Sequence, residues 1–199
     1  MIDTNLLIAW GGTFKKVPAG EILFREGTQA NFYYQLESGS VKWVNFDDAG
    51  NEYIHTIAEP GECFGEIPLF DDGFYAASAV ADKDSVIIRL HKPSFHQLLK
   101  ENQEIHFAFS KLLSQRLRYT FLMAKEMAGH NPENTLTSLL AYFKKAKHYF
   151  CGECNQLKLT RQQLAGMTGM RVETVIRTMR VMHDKGKIKI DKGRVFCEV

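Results

Sequence analysis

Residues 157–199 read LKLTRQQLAGMTGMRVETVIRTMRVMHDKGKIKIDKGRVFCEV, and this stretch decides how the rest of the chain is interpreted. Thr160 and Gln163 have the spacing of a T-x-x-Q capping box, which predicts a helix that begins at Thr160. Ala165 is small where a second helix has to approach, and Gly169 can supply the turn between the two helices. The segment KGKIKIDKGRVFCEV then predicts two strands around an Asp-Lys-Gly turn. The stretch therefore predicts a helix-turn-helix followed by a β-hairpin wing.

The second helix of this motif has an apolar side and a charged side. Helical spacing predicts an inward-facing stripe that consists of Val172, Val175, Ile176, Met179 and Met182. Glu173 and Arg177 lie one turn apart on the other side. Glutamate accepts a hydrogen bond from the cytosine amino group, and arginine binds guanine through two bonds, so the pair fits a DNA groove. The same spacing also fits a salt bridge that only stabilises the helix.

The charge of the chain is divided unevenly between its two parts. Residues 1–129 carry 12 Lys and Arg against 17 Asp and Glu, whereas residues 130–199 carry 13 against 6. The two balances, −5 and +7, together give the net charge of +2. A short basic part joined to a longer acidic part indicates that the C-terminal part meets a polyanion, although two solvated surfaces could differ in charge by chance.

Upstream, residues 14–92 are typical of an all-β domain. Glycines recur about a dozen residues apart between short β-rich runs, the segment DDAG (47–50) predicts a hairpin turn, and DSVIIRL (84–90) predicts a last strand. Several short strands with regular turn signals favour a sandwich or a small barrel. Ser94 is a candidate N-cap for a short helix, FHQLLKEN, which follows the last strand.

A long helix is predicted over residues 103–128. Spacings of three and four, as at coiled-coil a and d positions, are shown by Ser110, Leu113, Leu117, Thr120, Ala124 and Met127. A second stripe widens the apolar face and consists of Ile105, Phe109, Leu112, Arg116 and Met123. The apolar surface is larger than packing on one side of the helix requires, which favours a helix that packs on its own β-domain and on a second copy. The alternative is a helix that is buried inside a monomer. Asn131 and Pro132 then predict the start of an amphipathic helix over about 133–150.

Together these features resemble the Crp/Fnr family of bacterial transcription regulators over nearly the whole chain, and LTRQQLAGMTGMRVETVIRTM (159–179) is close to the family's signature. The resemblance implies an α+β fold with an N-terminal double-stranded β-helix, a jelly-roll or cupin-like β-roll. It implies a cyclic-nucleotide-binding-like sensor domain at 1–102, a dimerisation helix at 103–129 and a winged helix-turn-helix domain at 130–199. It also implies a cytoplasmic homodimer, joined through 103–128, that binds a roughly palindromic double-stranded operator and contacts RNA polymerase.

The resemblance also assigns the DNA contacts. In the family, residues at the positions of Glu173 and Arg177 read the central bases of each half-site. The Val-Glu-Thr start at 172–174 is closer to the Fnr branch than to the Crp branch, and Ile176 departs from both, so it could touch a thymine methyl or belong to the core. The expected DNA-binding residues are Thr160, Arg161, Gln162, Arg171, Glu173, Thr174, Arg177, Lys187, Lys189 and Arg194.

GECFGEIPLF (61–70) resembles the family's phosphate-binding cassette, in which Glu66 corresponds to the glutamate that bonds the ribose hydroxyl in cyclic-AMP binders. The cassette's arginine and serine correspond here to Ala76 and Ala77. Burying a phosphate without a cation or a hydroxyl donor is costly, so cyclic AMP is not expected to bind in the family's usual way. The residues of this degenerate pocket are Phe64, Gly65, Glu66, Ile67, Ala76, Ala77 and Ser78, with Thr120 and Phe121 on the long helix. Four alternatives remain open: a different small molecule, a response to a partner, a non-standard pocket for a cyclic nucleotide, or DNA binding without any ligand.

Cys151-Gly-Glu-Cys154 has the spacing of a redox or metal pair. A reduced surface loop, a redox-sensitive dithiol and a metal site completed by His148 are the three interpretations. No other metal or cofactor is expected, and the histidines form no ligand cluster. A catalytic cupin-like barrel would need a histidine-rich metal site, which His55 alone does not provide, so an enzyme is not expected. No membrane-spanning run is present, and Asp3 stands where a secretory signal would be basic, so a cytoplasmic protein is expected.

Overall fold

The computed structural model describes residues 1–197 and divides the chain into two compact units, Met1–Gln115 and Arg116–Val199. The last two residues of the predicted wing and of the predicted 130–199 domain, 198 and 199, lie outside the described residues. The boundary between the units falls within the long helix rather than at either of its ends. The functional division at 102 and 129 stays a prediction.

The first unit contains two four-stranded antiparallel sheets, with strand orders β1-β8-β3-β6 and β2-β7-β4-β5. The strands are β1 (Thr13–Val17), β2 (Ile22–Phe24), β3 (Phe32–Ser38), β4 (Val41–Phe46), β5 (Glu52–Ala58), β6 (Cys63–Phe64), β7 (Ser78–Ala81) and β8 (Ser85–His91). Asp47 closes the predicted β4–β5 turn, because its carboxylate accepts hydrogen bonds from the backbone N–H groups of Ala49 and Asn51. The predicted β-roll and its last strand are confirmed.

Three short helices flank these sheets: α1 (Thr4–Ala9), α2 (Pro68–Asp71) and α3 (Lys92–Glu101). The prediction that Ser94 caps α3 is wrong, since the helix begins at Lys92 with His91 at the cap position and Pro93 in the first turn. Proline fixes the backbone angle that the first turn requires, so it extends the helix back to the end of β8. Tyr33 of β3 stacks on Phe95 of α3 with ring centroids 4.8 Å apart.

The long helix α4 runs from Gln103 to Ala128, as the sequence predicts. In the second unit, α5 (Pro132–Lys145) begins at Asn131, whose side chain accepts hydrogen bonds from the backbone N–H groups of Glu133 and Asn134. The helix ends five residues before the predicted 150, because Lys147 and Tyr149 adopt positive φ angles of 53° and 59°. The remaining elements are α6 (Arg161–Thr168), α7 (Val172–Asp184), β9 (Lys189–Asp191) and β10 (Arg194–Phe196).

None of the helices within residues 1–197 has the length and the apolar character that a bilayer-spanning segment requires.

Candidate nucleic-acid interface and ligand pocket

Helix α6 begins at the capping box that the sequence predicts. Thr160 Oγ1 accepts a hydrogen bond from the backbone N–H of Gln163 at 3.1 Å, and Gln163 Oε1 accepts one from the backbone N–H of Thr160 at 2.9 Å. Gly169 ends α6 with a φ of 67°, a conformation that glycine adopts without a steric penalty. Met170 and Arg171 alone separate this glycine from α7. The two-helix motif is therefore fixed by a reciprocal cap at one end and a left-handed turn in the middle.

The buried side of α7 is narrower than the predicted stripe. Its buried residues are Val175, Thr178, Met179 and Met182. Val172 is half-buried, and Ile176 is 39% exposed, so the assignment of Ile176 to the core is wrong. Successive residues of a helix differ by about 100° around its axis. Ile176 therefore points about 100° away from Val175, which lies on the side of α7 that packs against α5 and α6.

Glu173 and Arg177 project from the exposed side of α7, with Ile176 beside them. Across residues 1–197, neither side chain takes part in an ion pair or a hydrogen bond, so the salt-bridge alternative is not what the structure contains. Arg171, at the start of the helix, is also exposed, and Thr174 is half-buried. The start of α7 thus presents one carboxylate, two guanidinium groups and one branched apolar side chain to solvent.

The wing is a tight hairpin in which Asp191 pairs with Arg194 and Ile190 with Val195. Lys192 and Gly193 at its tip both have positive φ angles, 46° and 80°, as a type I′ turn requires.

The other expected DNA-binding residues differ in whether they form ion pairs. Lys189 and Arg194 of the wing, together with Thr160 and Gln162 at the start of α6, are exposed. Lys187, by contrast, binds Glu133 Oε1 at 2.9 Å, and its neighbour Lys185 binds Glu133 Oε2 at 2.7 Å. These two lysines hold the pKa of the Glu133 carboxyl below its usual value.

Arg161 is half-buried at the first position of α6, and its desolvation lowers the pKa of the guanidinium group. The Arg161 guanidinium group is therefore less accessible to solvent than the charged groups of the wing residues.

In the first unit, the cassette glutamate lies in the protein interior. Glu66 is completely buried, and the Cys63 thiol donates a hydrogen bond to its Oε2 at 3.8 Å. The Tyr33 hydroxyl lies nearby, and its own burial, together with the charges of Cys63 and Glu66, raises its pKa. Because neighbouring residues of a strand point to opposite faces, Tyr33 and Tyr34 project from opposite sides of β3. Glu66 thus lies on the side of β3 from which Tyr33 projects.

An aromatic cluster fills the space beside the cassette on the Tyr34 side. The cluster consists of Phe24, Tyr34, Phe64 and Tyr75. Phe24 and Tyr75 stack with centroids 3.7 Å apart, and Tyr34 stacks on Phe64 at 5.5 Å. A methyl group added at Gly65 would lie 2.4 Å from the Phe24 ring, so this ring rests directly on the cassette backbone. Phe24, Tyr34 and Tyr75 were not expected from the sequence, because nothing in their spacing indicates that they meet.

The two cassette alanines are fixed through their backbone carbonyl groups. Trp43 Nε1 donates a hydrogen bond to the Ala77 carbonyl at 3.2 Å, and Asn45 Nδ2 donates one to the Ala76 carbonyl at 2.8 Å. The Ala76 side chain is exposed, whereas Ala77 is buried. The Ser78 hydroxyl accepts a hydrogen bond from the backbone N–H of Glu26 at 2.9 Å. Ile67, at the start of α2, is exposed.

The two predicted stripes of α4 have different environments. The stripe of Ile105, Phe109, Leu112, Arg116 and Met123 is buried or half-buried throughout. On the a/d stripe, Ser110, Leu117, Thr120, Ala124 and Met127 are exposed and Leu113 is half-buried. Phe121, which the sequence assigns to the degenerate pocket, is 65% exposed, and the neighbouring Thr120 hydroxyl donates a hydrogen bond to the Arg116 carbonyl at 3.0 Å.

Two protein-family models match the chain, one in its N-terminal part and one in its C-terminal part. Residues 14–102 match the family described as "Cyclic nucleotide-binding domain", and residues 135–197 match the "Crp-like helix-turn-helix domain".

Full-length relatives are also similar. The chain is 30% identical to the cAMP-activated global transcriptional regulator CRP of Haemophilus influenzae over 87% of this chain and 78% of that protein. It is 27% identical to the cyclic AMP receptor protein of Thermus thermophilus over 89% of this chain and 80% of that protein.

Solved structures share the fold at lower identity. The c-di-GMP responsive global regulator CLP of Xanthomonas campestris has a TM-score of 0.74 at 21% identity and covers 98% of this chain and 99% of its own. A CooA mutant from Carboxydothermus hydrogenoformans has a TM-score of 0.80 at 16% identity, over 98% and 87%. At these identities the likeness shows the fold alone.

Proposed function

The chain belongs to the Crp/Fnr family of transcription regulators, and from that premise we propose that it binds a roughly palindromic operator as a homodimer. The observation that carries this proposal is the start of α7, where Glu173 and Arg177 are exposed and engage no other side chain within residues 1–197. In helix-turn-helix proteins this end of the second helix contacts base edges in the major groove. We assign base discrimination to this pair and phosphate contacts mainly to Lys189 and Arg194.

The apolar face of α4 supports the homodimer. Phe107, Leu117 and Phe121 are 75%, 54% and 65% exposed, and the a/d stripe runs along the same helix. Large exposed apolar side chains that recur along one helix are typical of an interaction surface. The spacing of three and four residues allows the stripe to pack against its own copy, which forms an isologous two-fold interface.

The effector part of the proposal concerns the cassette. We propose that the protein does not bind cyclic AMP in the family's usual way, because Ala76 and Ala77 supply no cation or hydroxyl and Phe24 covers the backbone of Gly65. A cyclic phosphate would lose its hydration there without a charged partner. Similar proteins are described by their names as responding to cyclic AMP and to c-di-GMP, so membership of the family leaves the effector open.

The DNA-binding proposal is tested by selection from random duplex DNA with the full chain. We expect enrichment of a two-fold sequence whose half-sites lie about one helical turn, roughly 10 base pairs, apart. Arg177→Ala should lose the preference at defined positions of each half-site. If no sequence is enriched, the motif does not read DNA, and a purely ligand-sensing or protein-binding role replaces the proposal.

The homodimer is tested by sedimentation of Leu117→Glu, which places a charge on the exposed apolar face. Gln115→Glu is the matched control, since it introduces the same charge at an exposed position about 200° around the helix. We expect Leu117→Glu to be monomeric and the control to remain dimeric. A monomeric wild type, or equal dissociation of both variants, would contradict the assignment.

The effector proposal is tested by calorimetric titration of the purified protein with cyclic AMP and cyclic GMP. No saturable heat is expected with either nucleotide. A micromolar dissociation constant for either one would overturn this part while leaving the DNA-binding part untouched.

A further inference from the structure

Cys151 and Cys154 lie on a closed turn between α5 and α6. The backbone N–H of Cys151 donates to the Gln156 carbonyl at 2.8 Å, and the backbone N–H of Asn155 donates to the Cys151 carbonyl at 3.1 Å. Asn155 has a φ of 54°, which reverses the chain immediately after Cys154. The two cysteines are thus held on the same turn by backbone hydrogen bonds that do not involve their side chains.

The Cys151 thiol lies in surroundings that favour its thiolate form. The backbone N–H groups of Cys154 and Glu153 lower the pKa of the Cys151 thiol, and a hydrogen bond from the Cys154 thiol lowers it further. The Glu153 carboxylate acts in the opposite direction as a smaller effect. Cys154 is exposed and Cys151 half-buried. A partly accessible thiol among N–H donors has the environment of a reactive cysteine, because these donors stabilise the thiolate that attacks disulfides.

The other two cysteines of the chain have the opposite environment. Cys63 and Cys197 are buried, and desolvation raises the pKa of the Cys197 thiol. They therefore serve as internal references for reactivity in the same molecule.

A metal site is the competing interpretation of the CGEC sequence. Among residues 1–197 there is no group of three or more His, Cys, Asp or Glu side chains arranged to hold a metal ion. His148, the third ligand that the sequence suggests, lies against the Tyr149 ring with centroids 3.7 Å apart. Two thiols are only half of a tetrahedral zinc site.

We propose that Cys151 and Cys154 are a reversible dithiol–disulfide site that exchanges with low-molecular-weight disulfides. The Cys151 thiolate attacks a disulfide RS–SR, so that a Cys151–SR mixed disulfide forms and one RS⁻ leaves. The Cys154 sulfur then attacks the Cys151 sulfur, releases the second RS⁻ and closes the bond within the turn. The protein loses one hydrogen from each sulfur and is oxidised by two electrons, while RS–SR is reduced to two RSH.

This site is joined to the wing through the backbone. The Leu157 N–H donates to the Val195 carbonyl at 2.8 Å, and Gln156 forms a bridge with Phe196. The turn therefore continues into a strand segment that pairs with β10, although the proposed chemistry does not rest on DNA binding. Its test and the DNA selection experiment can fail independently.

The first test measures the alkylation of all four cysteines by iodoacetamide at neutral pH, followed by peptide mapping. Cys151 should react at least about tenfold faster than Cys63 and Cys197 in the folded protein. Equal or slower reaction of Cys151 would contradict the proposal.

The second test incubates the full chain with oxidised glutathione. Wild type should form a disulfide between Cys151 and Cys154 and release two molecules of reduced glutathione per chain. Cys154→Ser should stop at one glutathione on residue 151, because no resolving thiol remains, and dithiothreitol should reverse both products. Circular dichroism establishes that this surface variant is folded.

Three results would overturn the proposal: a stable mixed disulfide in wild type, a disulfide between two chains, or one zinc ion per chain that protects both thiols.

Discussion

The two units of this chain differ in whether the polar groups of their candidate sites are buried or exposed. Around the cassette of the first unit, Glu66 is buried and an aromatic ring rests on the Gly65 backbone. At the start of α7 in the second unit, Glu173 and Arg177 are exposed and engage no other side chain in the described part of the chain. A buried polar group has to be satisfied within the protein, whereas an exposed charge can exchange water for a ligand. The difference favours recognition at the second site.

The largest effect on stability is expected at Gly65, where the aromatic cluster rests on the cassette backbone. Gly65→Ala places a methyl group 2.4 Å from the Phe24 ring, which Tyr75 and Phe64 hold in place. Gly61→Ala is the control, since Gly61 has a similar positive φ, 87° against 70°, but no heavy atom within 4 Å of the added methyl. The overlap should cost about 1 to 3 kcal/mol of unfolding free energy beyond the control. Equal denaturation midpoints would show that the Phe24 ring yields to the added methyl group.

The exposed pair of the second unit is tested on DNA. Arg177→Ala should weaken binding to the selected operator by about 1 to 3 kcal/mol, roughly 5- to 150-fold, and should affect random duplex much less. Lys189→Ala should weaken both alike and lower the salt dependence by about one unit of slope. Titrations at several salt concentrations distinguish the two. Equal losses for both variants on both DNAs would remove the division between base and phosphate contacts.

A smaller effect is expected at the cap of α6. Thr160→Ala removes one acceptor of the reciprocal cap and should cost about 1 kcal/mol of unfolding free energy. Gln162→Ala, two residues further along and exposed, should stay within about 0.5 kcal/mol of wild type. Chemical denaturation measures both. A larger loss for Gln162→Ala would mean that the cap does not hold this end of the motif.

The smallest effect is expected at Glu133, which forms ion pairs with two lysines of its own unit. Glu133→Gln releases Lys185 and Lys187, so it should raise the affinity for random duplex by no more than several-fold, mostly at low salt. Asp184→Asn, which removes a negative charge at an exposed position, is the control. If the two variants act equally, the gain reflects net charge alone.

The same variant has a pH signature. The pKa of Glu133 is lowered in the folded protein, so its ion pairs stabilise the fold above the unfolded-state value of about 4.5 and lose this effect as pH falls through the folded value. The unfolding midpoints of wild type and Glu133→Gln should therefore converge at acid pH and differ at pH values above the folded-state pKa of Glu133.

Local features were predictable from the sequence with good accuracy. The bounds of α4, the Thr160–Gln163 cap, the turn at Gly169 and the wing hairpin depend on spacing and on residue type, which the sequence displays directly. Errors occurred where a neighbour far away in the sequence decides the outcome. Ile176 has the spacing of a core residue, but the packing of α5 and α6 leaves it exposed. The ion pair between Lys187 and Glu133 likewise joins residues far apart in the sequence, and no spacing predicts it.

The sequence by itself determined the family, the order of the elements, the basic C-terminal part and the two alanines, Ala76 and Ala77, beside the predicted cassette, since each depends on the identity of residues. Only the tertiary structure decided that Phe24, Tyr34, Phe64 and Tyr75 close the space beside that cassette. It also decided which stripe of α4 stays exposed. Periodicity indicates which residues share one face of a helix or strand. The segment that packs on that face comes from a distant part of the chain, and this packing decides which side chains are buried.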